Sequence, residues 1–127
     1  MRLFLVRHAE AAPGDPDELR PLTPGGREAA RALGEKLAAE RLDAVVSSPL
    51  LRARETAEQI ARPAGIEAEP DDRLAPGATA EDVKAAVAGR GETVVAVGHQ
   101  PDCSMIVLDL TGREVKFAPA AVFVVEL

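Results

Sequence analysis

The chain contains only two histidines, His8 and His99, and each follows an apolar run. Arg7 and His8 close the run Leu3-Phe4-Leu5-Val6, and Gly98 and His99 close the run Thr93–Val97. Arg52 stands shortly after a third run, Ala44-Val45-Val46. Short continuous apolar runs read as buried strands, and open α/β sheets bind ligands outside the carboxyl ends of their strands. Two imidazoles and two guanidiniums in one crevice suit a tetrahedral phosphoryl group. A neutral imidazole attacks phosphorus and leaves again readily. An arginine fork matches two phosphoryl oxygens at once.

Taken singly, each of these residues has a plainer reading. His8 could be a strand-end cap, Arg7 a snorkelling side chain and His99 a loop histidine bonded to a carbonyl. Their combination on three different elements carries more weight. His8 reads as a nucleophile, with Arg7 and Arg52 expected to lower its pKa and hold it unprotonated. Arg52 falls in the first turn of a helix, where backbone N–H groups favour an anion. Gly98 reads as a residue permitting a tight turn, and His99 as a donor to a phosphoryl oxygen. Arg54 reads as a surface partner for Glu58.

The pattern predicts the elements that must hold these groups. Arg2–Arg7 reads as a strand, followed by a polar loop to Leu22. Thr23 and Pro24 begin a helix reaching about Glu40. Asp43–Ser47 reads as a strand, with Ser48 as cap and Pro49 as first residue of a helix ended by Pro63 and Gly65. Ile66–Glu69 reads as an edge strand and 71–77 as loop. Thr79, with Asp82 three residues on, caps a helix to about Ala88. Thr93–Val97 is a strand, and Pro101 opens a helix that stops at Thr111-Gly112. Glu114–Phe117 and Ala121–Val125 read as two closing strands. Strands alternating with helices predict a three-layer α/β/α sandwich with a mainly parallel sheet, in one domain over residues 1–127.

Composition narrows the function classes. With 127 residues the chain suits one domain with a real core. A net charge of −6 disfavours nucleic acid and anionic membranes as partners. Aromatics make up 2% with no Trp or Tyr, which leaves nothing for base stacking. A single cysteine excludes an intramolecular disulfide and a Cys-rich zinc site. No apolar run is long enough for a membrane span, so the expected setting is cytoplasmic. Cys103 has Asp109 six positions later where a cysteine phosphatase needs arginine, and it reads as a small buried hydrophobe. Asp15-Pro16-Asp17 has Leu19 where an aspartate-based phosphatase needs Thr. There is no Gly-Lys-Ser/Thr loop and no dinucleotide glycine pattern. The two histidines lack metal-ligand spacing, so no metal or cofactor is expected.

Four blocks together resemble the histidine phosphatase superfamily, the group that includes phosphoglycerate mutases. They are Leu5-Val6-Arg7-His8-Ala9-Glu10, Leu22-Thr23-Pro24-Gly25-Gly26-Arg27-Glu28-Ala29, Ser47-Ser48-Pro49-Leu50-Leu51-Arg52-Ala53-Arg54-Glu55-Thr56-Ala57 and Val97-Gly98-His99-Gln100-Pro101. The resemblance implies that His8 is phosphorylated while Arg7, Arg52 and His99 clamp the phosphoryl oxygens. Many members carry an acidic residue after a Glu-Arg-Leu block. Here Asp71-Asp72-Arg73-Leu74 leads into Ala75-Pro76-Gly77 instead, and the large cap insertion is missing. Those features resemble the small phosphohistidine phosphatase branch. An alkoxide leaving group needs an acid, whereas a departing imidazole is far less basic. Glu10, Asp72 and Glu81 are the candidate proton donors. The expected partner is a phosphohistidine-bearing protein or a small phosphorylated metabolite, met by a monomer. A non-catalytic phospho-ligand module is the remaining alternative.

Overall fold

The computed structural model describes all residues, 1–127. Five strands form one sheet: β1 (Arg2–Arg7), β2 (Ala44–Ser47), β3 (Ala68–Pro70), β4 (Thr93–Gly98) and β5 (Val122–Glu126). Their spatial order is β3-β2-β4-β1-β5, and only β5 runs antiparallel, against β1. The helices are α1 (Pro24–Leu37), α2 (Leu51–Ala64), α3 (Ala80–Val87) and α4 (Asp102–Thr111).

The continuous apolar runs are continuous because both sheet faces are covered. Alternate residues point to opposite faces. Leu3 and Leu5 of β1, Val46 of β2 and Val94 and Ala96 of β4 join the core beneath α3 and α4, with Val83, Val87, Ile106 and Val107. Phe4, Val6, Val45, Val95 and Val97 face the other way, onto Leu33 and Leu37 of α1 and Ala53, Ala57 and Ile60 of α2. This is the three-layer α/β/α arrangement expected from the element order.

Local signals set most boundaries. Thr23 Oγ1 accepts from Gly26 N at 2.9 Å, and Pro24 opens α1. Thr79 and Asp82 form a complete capping box on α3. Gly65 and Gly112 end α2 and α4 in the left-handed region, at φ 73° and 75°. Three expectations fail. Pro63 does not end α2 but lies inside it, before its last residue Ala64. Ser48 does not cap α2, whose N-terminal flank is Leu50 with no side-chain cap. The chain bends at Pro49 and Leu50 before the helix starts at Leu51, and Ser48 is used elsewhere. Residues 114–117 form no strand. β5 is an edge strand with an open outer side, yet residues 114–117 do not pair with it. Two of their carbonyls are taken by side chains instead: Val115 O accepts from Ser104 Oγ and Phe117 O from Arg7 Nη1.

α1 and α2 pack closely at Gly34. A Cβ there would strike the α2 backbone at Gln59 O and reach Ile60 Cα at 3.0 Å. Gly34→Ala is therefore expected to destabilise the fold by about 1–3 kcal/mol, despite the helix-propensity gain of alanine. Gly25→Ala, whose Cβ would lie 3.9 Å from Thr23 Oγ1, is the control and should be near neutral. Urea unfolding of both variants checks this; equal stabilities would contradict the close approach.

Candidate active site

Strand register assembles the site. Arg7 pairs with Gly98, and His8 N donates to Gly98 O at 3.0 Å. Ser47 pairs with Val97, and Ser48 N donates to Val97 O at 2.9 Å. The carboxyl ends of β2, β4 and β1 therefore lie side by side. The chain leaves β1 toward α1 on one face and β4 toward α4 on the other, which opens a crevice between adjacent strands. The His8 and His99 rings meet there, with centroids 5.2 Å apart and planes tilted by 59°.

Each side chain is held from behind. His8 Nδ1 lies 2.7 Å from Ala9 O. A carbonyl only accepts, so Nδ1 carries the proton and Nε2 keeps its lone pair. Thr56 Oγ1 donates to Arg52 O at 2.8 Å and accepts from Ala9 N at 3.0 Å, which ties the His8 segment to the first turns of α2. Arg7 Nη1 donates to Phe117 O at 2.9 Å. Arg52 is 8% exposed and donates to Asp17 O at 2.9 Å and Asp17 Oδ2 at 3.2 Å. His99 is 4% exposed, and its Nε2 lies 2.7 Å from Ser48 Oγ.

Two polar atoms in this group, Arg7 Nε and His99 Nδ1, are buried and have no protein partner. Buried donors are normally satisfied, since leaving one unpaired costs about 1–3 kcal/mol. They belong to the residue before His8 and to the ring packed 5.2 Å from it, and His8 Nε2 makes no hydrogen bond either.

Burial pushes the His8 imidazole below its usual range. The bond to Ala9 opposes this, and the charges of Arg52, Arg7 and Arg20 add to it. The expected direction thus holds, but burial outweighs the arginines as its cause. Burial also pushes His99 down to about 4, assisted by His8 and Arg52 and opposed by Asp17. Cys103 lies buried near Val6 O, and burial raises its thiol to about 12, so it is no nucleophile.

The acidic candidates lie elsewhere. Glu10 is exposed and accepts from Thr23 Oγ1 at 2.8 Å. Glu81 is exposed beside Lys84 at 3.5 Å. Asp72 is exposed and makes no ion pair. None of the three bonds a residue of the imidazole pair or the guanidiniums. Asp17 does, although its sequence context served only to set an aspartate-based phosphatase aside and did not point to Arg52. It sits in a short 3-10 turn, Asp17–Leu19, and bridges Arg52 and Arg20. Its hydrogen bond from Arg20, then that from Arg52, holds its carboxyl below the usual carboxylate range. Arg54 forms no pair with Glu58; it is half-buried with Nε unpartnered, while Glu58 points to solvent. Gly98 is not forced to be glycine by space, since a Cβ would make only an ordinary 3.8 Å contact with Cys103 Sγ.

The sequence pattern of the histidine phosphatase superfamily (branch 1) matches residues 3–76, and the chain belongs to that superfamily. Among solved structures, the protein histidine phosphatase SixA complexed with tungstate superposes with a TM-score of 0.88 at 29% identity, covering 100% of this chain and 88% of that one. The candidate phosphohistidine phosphatase SixA of Agrobacterium tumefaciens gives 0.82 at 27% identity, over 97% and 89%. Phosphoserine phosphatase 1 of Hydrogenobacter thermophilus is 36% identical over 83 residues, 58% of this chain but 37% of that protein. This chain thus matches little more than a third of that relative's length. No helix here is long and apolar enough to cross a membrane.

The depressed imidazoles give a signed pH dependence. An unfolded histidine near 6.5 binds a proton that folded His99 refuses until about pH 4. Stability is thus full above about pH 6.5 and falls by about 3 kcal/mol as pH drops toward 4. Ring-proton NMR titrations should place both histidines below their ordinary midpoint, with His99 the lower. A midpoint at or above that ordinary value for either ring contradicts the burial seen here.

Proposed function

We propose that this chain is a phosphatase that hydrolyses protein phosphohistidine through a phosphorylated His8 intermediate. The carrying observation is the pair of imidazoles, 5.2 Å apart, flanked by guanidiniums and unpaired buried nitrogens. In the first step Nε2 of His8 forms a bond to phosphorus. The bond from phosphorus to the substrate imidazole nitrogen breaks, and that nitrogen keeps the electron pair and takes a proton from water. In the second step water attacks phospho-His8, the bond from phosphorus to Nε2 breaks, and the attacking water gives up one proton, which replaces the one taken in the first step; inorganic phosphate and neutral His8 are released. Arg7, Arg52 and His99 donate to the three phosphoryl oxygens as charge shifts between them, and losing one such donor costs about 10²–10³ in rate.

The substrate class follows from proton supply. The carboxylate that reaches Arg52 is Asp17, and Arg20 and Arg52 hold it ionised. An ionised carboxyl cannot protonate an alkoxide at neutral pH. A departing imidazole asks less, because its conjugate acid has a pKa of about 6.5. The chain carries no cap insertion over the strand ends to keep out a phosphohistidine displayed on another protein. Similarity to the SixA structures supports the same substrate class.

A second reading, hydrolysis of small phosphate monoesters, is favoured by the 36% identity to the Hydrogenobacter thermophilus phosphoserine phosphatase. Glu10, Asp72 or Glu81 would then have to move to supply the proton. One comparison separates the readings: kcat/KM for a phosphohistidine peptide against phosphoserine and an aryl phosphate. The expected preference for phosphohistidine is about 100-fold or more. A faster ester reaction would overturn the substrate class. Acid-labile phosphate should be trapped on the wild type and absent from His8→Ala, whose rate should fall about 10³-fold or further. Vanadate binding with turnover of neither substrate would instead identify a non-catalytic phospho-ligand module.

A further inference from the structure

Ser48 is fully buried between the ends of β2 and α2 and belongs to neither element. Its Oγ has two neighbours within hydrogen-bond reach. Leu50 N, a donor, lies at 3.2 Å, and His99 Nε2 lies at 2.7 Å. A hydroxyl offers one hydrogen and two lone pairs. Leu50 N–H takes one lone pair. The hydroxyl hydrogen then has a single acceptor in reach, His99 Nε2.

The alternative arrangement can be counted. If Nε2 carried the proton and donated to Ser48 Oγ, the buried Ser48 hydrogen would have no acceptor and His99 Nδ1 would hold an unused lone pair. With the proton on Nδ1, only that N–H lacks a partner. Each extra buried unsatisfied group costs about 1–3 kcal/mol, so the second state prevails. It also leaves a donor, rather than a lone pair, for an oxyanion to meet.

We propose that Ser48 is a positioning residue that fixes the His99 tautomer: its hydroxyl donates to Nε2 and keeps the ring proton on Nδ1 for donation to a phosphoryl oxygen. The two imidazoles thereby work in complementary states. Ala9 O holds the His8 proton on Nδ1 and frees Nε2 to attack. Ser48 holds the His99 proton on Nδ1 and makes that edge a donor. Neutral His99 serves in this role, in keeping with burial that holds its pKa near 4. Sheet order makes the contact possible, because β2 and β4 are neighbours and end in register.

The inference rests on the proposed phosphatase reading for its purpose, and its test is independent of turnover. Long-range proton–nitrogen NMR spectra at neutral pH report which ring nitrogen carries the proton, and the chain has only two histidines to resolve. The wild type should show Nδ1–H on both rings. In Ser48→Ala, His99 should shift toward Nε2–H while His8, anchored to Ala9, keeps its signature and confirms a native site. kcat for a phosphohistidine peptide should fall about tenfold with KM within roughly threefold, since the proton can still return to Nδ1 when an oxyanion binds and the donor is weakened rather than deleted. Ser48→Thr, which retains the hydroxyl, should restore the His99 tautomer and most of kcat. A wild-type His99 carrying its proton on Nε2 overturns the proposal, as does an unchanged tautomer in Ser48→Ala. If the alanine variant does not fold, the wild-type spectrum and Ser48→Thr still decide. An inactive wild type with Nδ1–H on His99 would sink the phosphatase reading and leave the role of Ser48 standing.

Discussion

The in-register pairing of β4 with β1 on one side and β2 on the other is the constraint on which the site depends. It sets Gly98 against Arg7 and Val97 against Ser47. His99 therefore emerges between His8 and Ser48 with no loop required to fold back. Register in a sheet buried on both faces is strongly specified, because a slip of one residue would send Leu3, Leu5, Val94 and Ala96 to the wrong core. Core packing thus fixes positions that chemistry uses. The helices contribute the remainder: α2, clamped to α1 at Gly34, delivers Arg52, and Thr56 links that turn to Ala9.

Burial gives these groups their electrostatic character. Two imidazoles beside arginines in a dry strand-end crevice resist protonation, chiefly through desolvation and secondarily through the positive charge around them. That favours the neutral form of His8 with Nε2 free, the state the proposed nucleophile needs. The arrangement leaves donors unpaired in the interior, as sites built for an anion do. Asp17 adds a counterweight. It occupies part of the Arg52 fork and raises the proton affinity of His99, while its own proton is lost to the arginines. A site with abundant donors and no protonated acid favours leaving groups that depart without help.

Much of this was legible in the chain. Continuous apolar runs marked β1, β2 and β4, and Thr23-Pro24, Thr79 with Asp82, Gly65 and Gly112 marked helix ends, because caps and turns act within a few residues. The same local logic misread Ser48. A serine before proline after a strand fits a helix cap, yet its hydroxyl is drawn to His99, which is 51 residues distant in the chain. Residues 114–117 had strand-like composition, but the Val115 and Phe117 carbonyls go to the Ser104 and Arg7 side chains rather than to the open edge of β5. Asp17 was not marked as a site residue because its importance lies in contact with Arg52, which is 35 residues away.

The sequence alone determined which residues could carry phosphoryl chemistry, that each stands at a strand or helix terminus, and that helices cover both sides of a mainly parallel sheet. Those properties follow from side-chain type and periodicity, which are local. Only the tertiary structure decided that β4 lies between β2 and β1, that Phe117 O secures Arg7, and that the two rings meet different partners, Ala9 O at Nδ1 of His8 and Ser48 Oγ at Nε2 of His99. Strands buried on both faces look alike in sequence, so their order is set by how the helices pack across them. Hydrogen-bond partners that fix a tautomer come from that order, and no spacing along the chain encodes them.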